Sequence, residues 1–96
     1  MITAQQAKAN VITYEVNTYR DTEAKVDELL ETMSKSIEFH SKNGFDCIEF
    51  TPYEKSRFTS IHTMQLASEI FERKFKDFGY EIILNSLENN SLKIQW

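Results

Sequence analysis

The sequence is poor in chain breakers, with two glycines and one proline among 96 residues. So short a supply leaves little room for a flexible linker, and a chain of this length builds one hydrophobic core rather than two. Cysteine is scarce as well: the lone Cys47 excludes an internal disulfide and a cysteine-rich zinc site. The opening MITAQQAKAN lacks the apolar run of a signal peptide, and nothing reads as a membrane span. The expectation is a cytoplasmic protein with no membrane contact. A positive balance is also missing, since 11 Lys and Arg against 15 Asp and Glu leave a net charge of −4. That argues against a duplex nucleic-acid binder, which neutralises phosphates with clustered cations, although a local basic patch stays open. There is no Gly-rich phosphate loop, no His-Glu metal helix and no Gly-x-Ser-x-Gly elbow. The chain is therefore expected to be a non-enzyme without cofactor or metal.

What the chain does hold is the material of a core, 41% hydrophobic and 12% aromatic. Thr3 can cap a first helix along which Ala4, Ala7, Val11 and Tyr14 recur at spacings of three and four. The β-branched and aromatic cluster of Val11, Ile12, Thr13, Tyr14, Val16, Thr18 and Tyr19 could equally pair as a strand. Near Asp21 and Thr22 the pattern restarts with an acidic turn. Val26, Leu30, Met33 and Ile37 then run down one face until Asn43-Gly44 supplies a stop.

FDCIEF reads as a short strand with Ile48 and Phe50 on one face and Phe45 and Cys47 on the other, which predicts cover on both sides. A core helix follows, striped by Ile61, Met64, Ala67, Phe71, Phe75 and Phe78 and ended by Gly79. YEIILN and SLKIQW, parted by a turn-rich SLENN, should form a hairpin. The expected architecture is a single α+β domain over residues 1–96, in two layers, ordered helix-helix-strand-helix-strand-strand. Its three-stranded mixed sheet ends in a C-terminal β-hairpin, and Phe71, Phe75 and Trp96 fill the core between the last helix and the sheet.

With its Thr3-Ala4 and Ala7 start, Gly79-Tyr80 strand and terminal Ile94 to Trp96, the chain resembles small uncharacterised proteins of tailed bacteriophages and prophages. The resemblance is one of architecture and covers most of the chain in outline. It implies a viral origin and an accessory, inhibitory or virion-associated role, in the infected cell or in the virion, and no particular reaction. TPYEKSRFTSIHT, Thr51 to Thr63, departs from that pattern by its length and its polar and basic residues.

Candidate sites follow from these readings. In the departing stretch, Thr59 or Ser60 can cap the core helix beside Lys55, Ser56 and Arg57, an anion site for a phosphorylated small molecule that Tyr53 and Phe58 could flank. The opposing reading is a connector whose hydroxyls serve its own backbone. Cys47 with His40 or His62 could form a nucleophile pair only if the fold brought them together, and a buried structural thiol is the simpler outcome. The acids Asp21, Glu23, Asp27, Glu28, Glu31 and Glu38 could mimic nucleic acid, or simply solvate a helix face.

The first segment, residues 1–20, raises a question of length. A helix running unbroken from Thr3 to Ser41 would span roughly 58 Å, too long for one small domain to bury. Either it breaks near Asn17 to Asp21 and folds back, or it projects and buries Ala7, Val11, Ile12, Tyr14, Val16 and Tyr19 against another chain. A sheet face carrying Phe45, Cys47 and Ile83 would also need a cover. Two functions stay open. One is a phage structural or assembly protein that forms a homo-oligomer and binds a host or phage protein. The other is an anti-defence binder that sequesters a phosphorylated nucleotide signal or blocks a host factor.

Overall fold

The computed structural model describes residues 1–96 as two helices and three strands. Helix α1 runs unbroken from Ala4 to Lys42, so the two N-terminal helices expected from the sequence are one. Thr3 caps it, its Oγ1 accepting from the Gln6 N–H at 3.1 Å. No glycine or proline interrupts residues 4 to 42. At the expected break the Thr22 hydroxyl turns back to donate to the Thr18 carbonyl at 2.8 Å, which satisfies it within the helix. The strand reading of Val11 to Tyr19 fails for a related reason: once the next turns are anchored, each added residue gains one backbone hydrogen bond, and that outweighs the modest propensity cost of Val, Ile and Thr. The helix stops where the Asn43 amide and side chain both bond to the Phe39 carbonyl and Gly44 takes φ +87°.

β1 covers Cys47–Phe50, α2 Ile61–Asp77, β2 Glu81–Ser86 and β3 Ser91–Gln95. The sheet order is β1-β3-β2, with β3 antiparallel to both neighbours. No parallel ladder exists, so the expected mixed sheet is corrected to an antiparallel one. β1 and β2 point the same way but are separated by β3, a strand-helix-strand unit split by the hairpin's return. The hairpin between β2 and β3 is present as expected.

One face of this sheet carries Ile48, Ile94 and Ile82 in a row, then Phe50, Leu92 and Asn85. Against it pack the helices, burying Val26, Met33 and Ile37 from α1 and Ala67, Ile70, Phe71 and Phe75 from α2. A bulge between Ile82 and Leu84 changes which face the rest of β2 presents, turning Leu84 toward Lys93 and Asn85 inward beside Leu92. The opposite face is mostly polar: Cys47, Gln95 and Glu81 in one row, Glu49, Lys93 and Leu84 in the next. Gln95 donates to Glu81, and Ser91 donates to Glu49 at 2.6 Å. The expectation of a sheet covered on both sides is thus overturned. Phe45, Ile83 and Leu84 stay exposed, and polar side chains make up most of that face.

Phe71 and Phe75 lie in the core, but Trp96 does not. It is 38% exposed, and its ring meets the edge of Tyr80, ring centroids 6.4 Å apart. Phe78 lies just past the last turn of α2, and Ile61 at its first residue, so both ends of that stripe face solvent.

Candidate functional site

The stretch from Thr51 to Thr63 folds largely into itself. Pro52, Tyr53 and Phe58 are buried. The Tyr53 amide donates to Asn90 Oδ1 at 2.6 Å, its hydroxyl donates to Asn85, and its ring meets Phe71 edge-on at 6.1 Å. Burial pushes the phenol above its ordinary pKa, with the hydrogen bonds around it acting the other way. Tyr53 and Phe58 therefore cannot flank a ligand, because both rings are spent on the core. The Arg57 and Phe58 amides close a turn on the Glu54 carbonyl. Ser60 caps α2 reciprocally with Thr63: the Thr63 N–H donates to Ser60 Oγ, and the Ser60 N–H donates to Thr63 Oγ1, both at 3.2 Å. Those hydroxyls serve their own backbone.

Of the residues expected at an anion site, Lys55, Ser56, Arg57, Thr59 and Ser60 are exposed, and only Ser56 and Arg57 line a common depression. It has a volume of about 360 Å³ and is completed by Lys25, Glu28, Leu29 and Thr32 of α1. Lys25 Nζ donates to the Arg57 carbonyl at 3.2 Å. This depression joins two cations to one carboxylate on a solvated surface. Lys25 was not legible from sequence, since 32 positions separate it from Arg57 and no local pattern links them.

The other residues considered are placed without a common site. His40 sits between Phe39 and Phe45, its Nδ1 donating to the Ser36 carbonyl at 2.7 Å. Cys47 is half-buried on the polar sheet face opposite Gln95, rather than buried, and His62 is exposed in the first turn of α2. No group of three or more His, Cys, Asp or Glu side chains converges as a metal site. Part of the acidic run has a structural use. Glu23 pairs with Arg73 at 3.0 Å and Asp27 pairs with Lys74, joining α1 to α2, while Glu38 pairs with Lys42 along α1.

The larger feature is the first half of α1. The molecule measures 62 × 24 × 19 Å, and its radius of gyration of 16.3 Å exceeds the roughly 12.5 Å of a compact chain this long. The excess is an arm. The first α1 residue fixed to the body by its side chain is Tyr19, which is half-buried and accepts a hydrogen bond from Arg73 at 2.7 Å. Before it, Val11 is 55% exposed, Ile12 61%, Tyr14 67% and Val16 50%, with Ala7 intermediate. Of the six residues expected to meet another chain, five thus lie on the arm and Tyr19 forms its root.

The fold and this surface define a small α+β domain with a projecting amphipathic helix. Comparison with protein-family models, with curated proteins and with solved structures finds no match. No helix is long and apolar enough to cross a membrane.

Proposed function

We propose that this chain is a non-enzymatic assembly protein that self-associates through the N-terminal half of α1 and acts by binding protein. The observation that carries the reading is the row of exposed apolar side chains on an arm that the rest of the chain leaves uncovered. Burying a side chain such as Val11, Ile12 or Tyr14 between chains stabilises an association by about 1.5 to 3 kcal/mol, before the cost of lost freedom. The resemblance to tailed-phage proteins gives such an assembly its setting, an accessory or virion-associated role in the infected cell or particle, with a phage or host protein as partner.

Light scattering across about a hundredfold dilution tests this, together with the variant Val11→Asp/Tyr14→Asp. The wild type is expected to dissociate on dilution and the variant to stay monomeric with unchanged circular dichroism. A wild type that is monomeric at every concentration overturns the reading.

A second reading rests on the depression where Lys25 and Arg57 meet. Two cations beside the Ser56 hydroxyl suit a phosphorylated small molecule of the kind an anti-defence binder would sequester. Calorimetry against phosphate, mononucleotides and cyclic dinucleotides tests it, with Arg57→Ala expected to weaken binding about ten- to a hundredfold. Absence of heat from all of them removes this second reading.

A further inference from the structure

The arm carries a pattern that reads the same from either end. About the midpoint between Val11 and Ile12, Ala4 mirrors Tyr19, Ala7 mirrors Val16, and the polar Gln6 mirrors Asn17. Lys8 mirrors Glu15, so the one charged pair in the pattern is of opposite sign. These two residues stand seven apart, about two helical turns, and continue the row that Thr22 extends into the buried face of α1. They therefore occupy the centre of the face, between Val11 on one side and Ile12 on the other. Neither forms an ion pair within the chain.

An isolated amphipathic helix has no use for such symmetry, but a two-fold pair of helices does. We infer that the arm pairs antiparallel with the arm of a second copy, about an axis between Val11 and Ile12, so that Lys8 of each chain faces the partner's Glu15. This rests on the self-association reading above and adds its orientation. A parallel pair would instead set Lys8 against the partner's Lys8 and Glu15 against the partner's Glu15, like charges at the centre of the contact. The overlap also ends where it should. The uncovered stretch of α1 runs from Ala4 to its root at Tyr19, so two such stretches overlap without driving one body into the other.

The test is sedimentation equilibrium, under reductant, on the wild type, Lys8→Glu, Glu15→Lys and the double reversal. All three variants alter exposed positions, and circular dichroism checks that the helix persists. Each single reversal is expected to raise the dissociation constant about tenfold, because symmetry makes it create two like-charge contacts. The double reversal restores the opposition and returns the constant to within about twofold of wild type. In a parallel pair every reversal exchanges one like-charged contact for another, and none of the three should matter.

Cysteine cross-linking in a Cys47→Ser background gives an independent readout. Lys8→Cys mixed with Glu15→Cys should form a disulfide, while Lys8→Cys alone should not, its two copies lying about 10 Å apart along the pair. Self-linking of Lys8→Cys, or an oligomer indifferent to the reversals, overturns the antiparallel pairing and leaves self-association standing. A wild type that never associates overturns both.

Discussion

Tyr53 shows how a single side chain ties distant parts of this fold together. Its ring meets α2 at Phe71, its hydroxyl reaches Asn85 on β2, and its amide reaches Asn90 in the hairpin turn. The phenol's pKa is raised above the ordinary value of 10.0 by burial, so the folded state favours the neutral form. The stability this contributes is fully present below about pH 10 and is lost as pH rises through the folded value. Urea unfolding followed from neutral to alkaline pH is thus expected to show stability falling above about pH 10. Tyr53→Phe should flatten that fall while costing about 1 kcal/mol at neutral pH for the lost hydrogen bond. Equal alkaline slopes in the two proteins would place the loss elsewhere.

Phe75 and Trp96 offer a contrast at the same scale. Phe75→Ala opens a cavity among Phe71, Tyr80 and the sheet and is expected to cost about 3 to 5 kcal/mol. Trp96→Ala, at a half-open edge, should cost about 1 kcal/mol. A loss for Trp96→Ala as large as that for Phe75→Ala in the same denaturation experiment would put the terminal residue back in the core. The role of Phe75 was legible from its helical spacing. The exposure of Trp96 was not, because alternation in SLKIQW assigns it a face but cannot show that no helix residue lies over the end of that strand. The burial of Tyr53 was hidden for a similar reason. In TPYEKSRFTSIHT polar residues follow it, and its partners inside are Phe71 and Asn85, the latter turned toward the core by the bulge before Leu84.

At the scale of elements, α1 divides into two halves of different support. From Tyr19 onward it has Arg73, Lys74 and the core to hold it. Ahead of Tyr19 the helix depends on its own hydrogen bonds, the Thr3 cap, and whatever covers it. The helix is held at only one end there and no side chain of the body covers it, so the arm should open far more readily than the body. Hydrogen exchange is expected to find the arm's amides fast and those around Val26 to Ile37 slow in dilute solution, with protection of the arm growing as concentration rises. Protection independent of concentration would mean that the arm needs no partner.

This division explains which elements could be read from the sequence. α2, β1 and the hairpin announce themselves through local spacing and their flanking turns, which is how their order emerged. The continuity of α1 did not, because β-branched and aromatic residues at Val11 to Tyr19 suit a strand as well as a helix. The deciding influence is the anchored turn that follows. The antiparallel sheet was equally hidden, since nothing local says that β3 lies between β1 and β2.

The whole molecule is a rod with a head, and its outline follows from the length of one helix. A single chain measures 62 Å in its longest dimension, with a radius of gyration of 16.3 Å. Pairing changes that outline in a way that depends on direction. Two chains with their arms antiparallel share only Ala4 to Tyr19, about 24 Å of helix at about 1.5 Å per residue, and reach roughly 100 Å end to end with a head at each extremity. Two chains with parallel arms keep both heads at one end and stay near the length of one molecule. Small-angle X-ray scattering on the associated species separates these outcomes. The antiparallel pair is expected to give a maximum dimension near 100 Å and a pair-distance distribution with a second, distant peak from the separated heads. The Val11→Asp/Tyr14→Asp variant should return the curve of the single rod. A dimer whose longest dimension stays close to that of one chain would contradict the antiparallel arrangement, even if the two arms prove to be its interface.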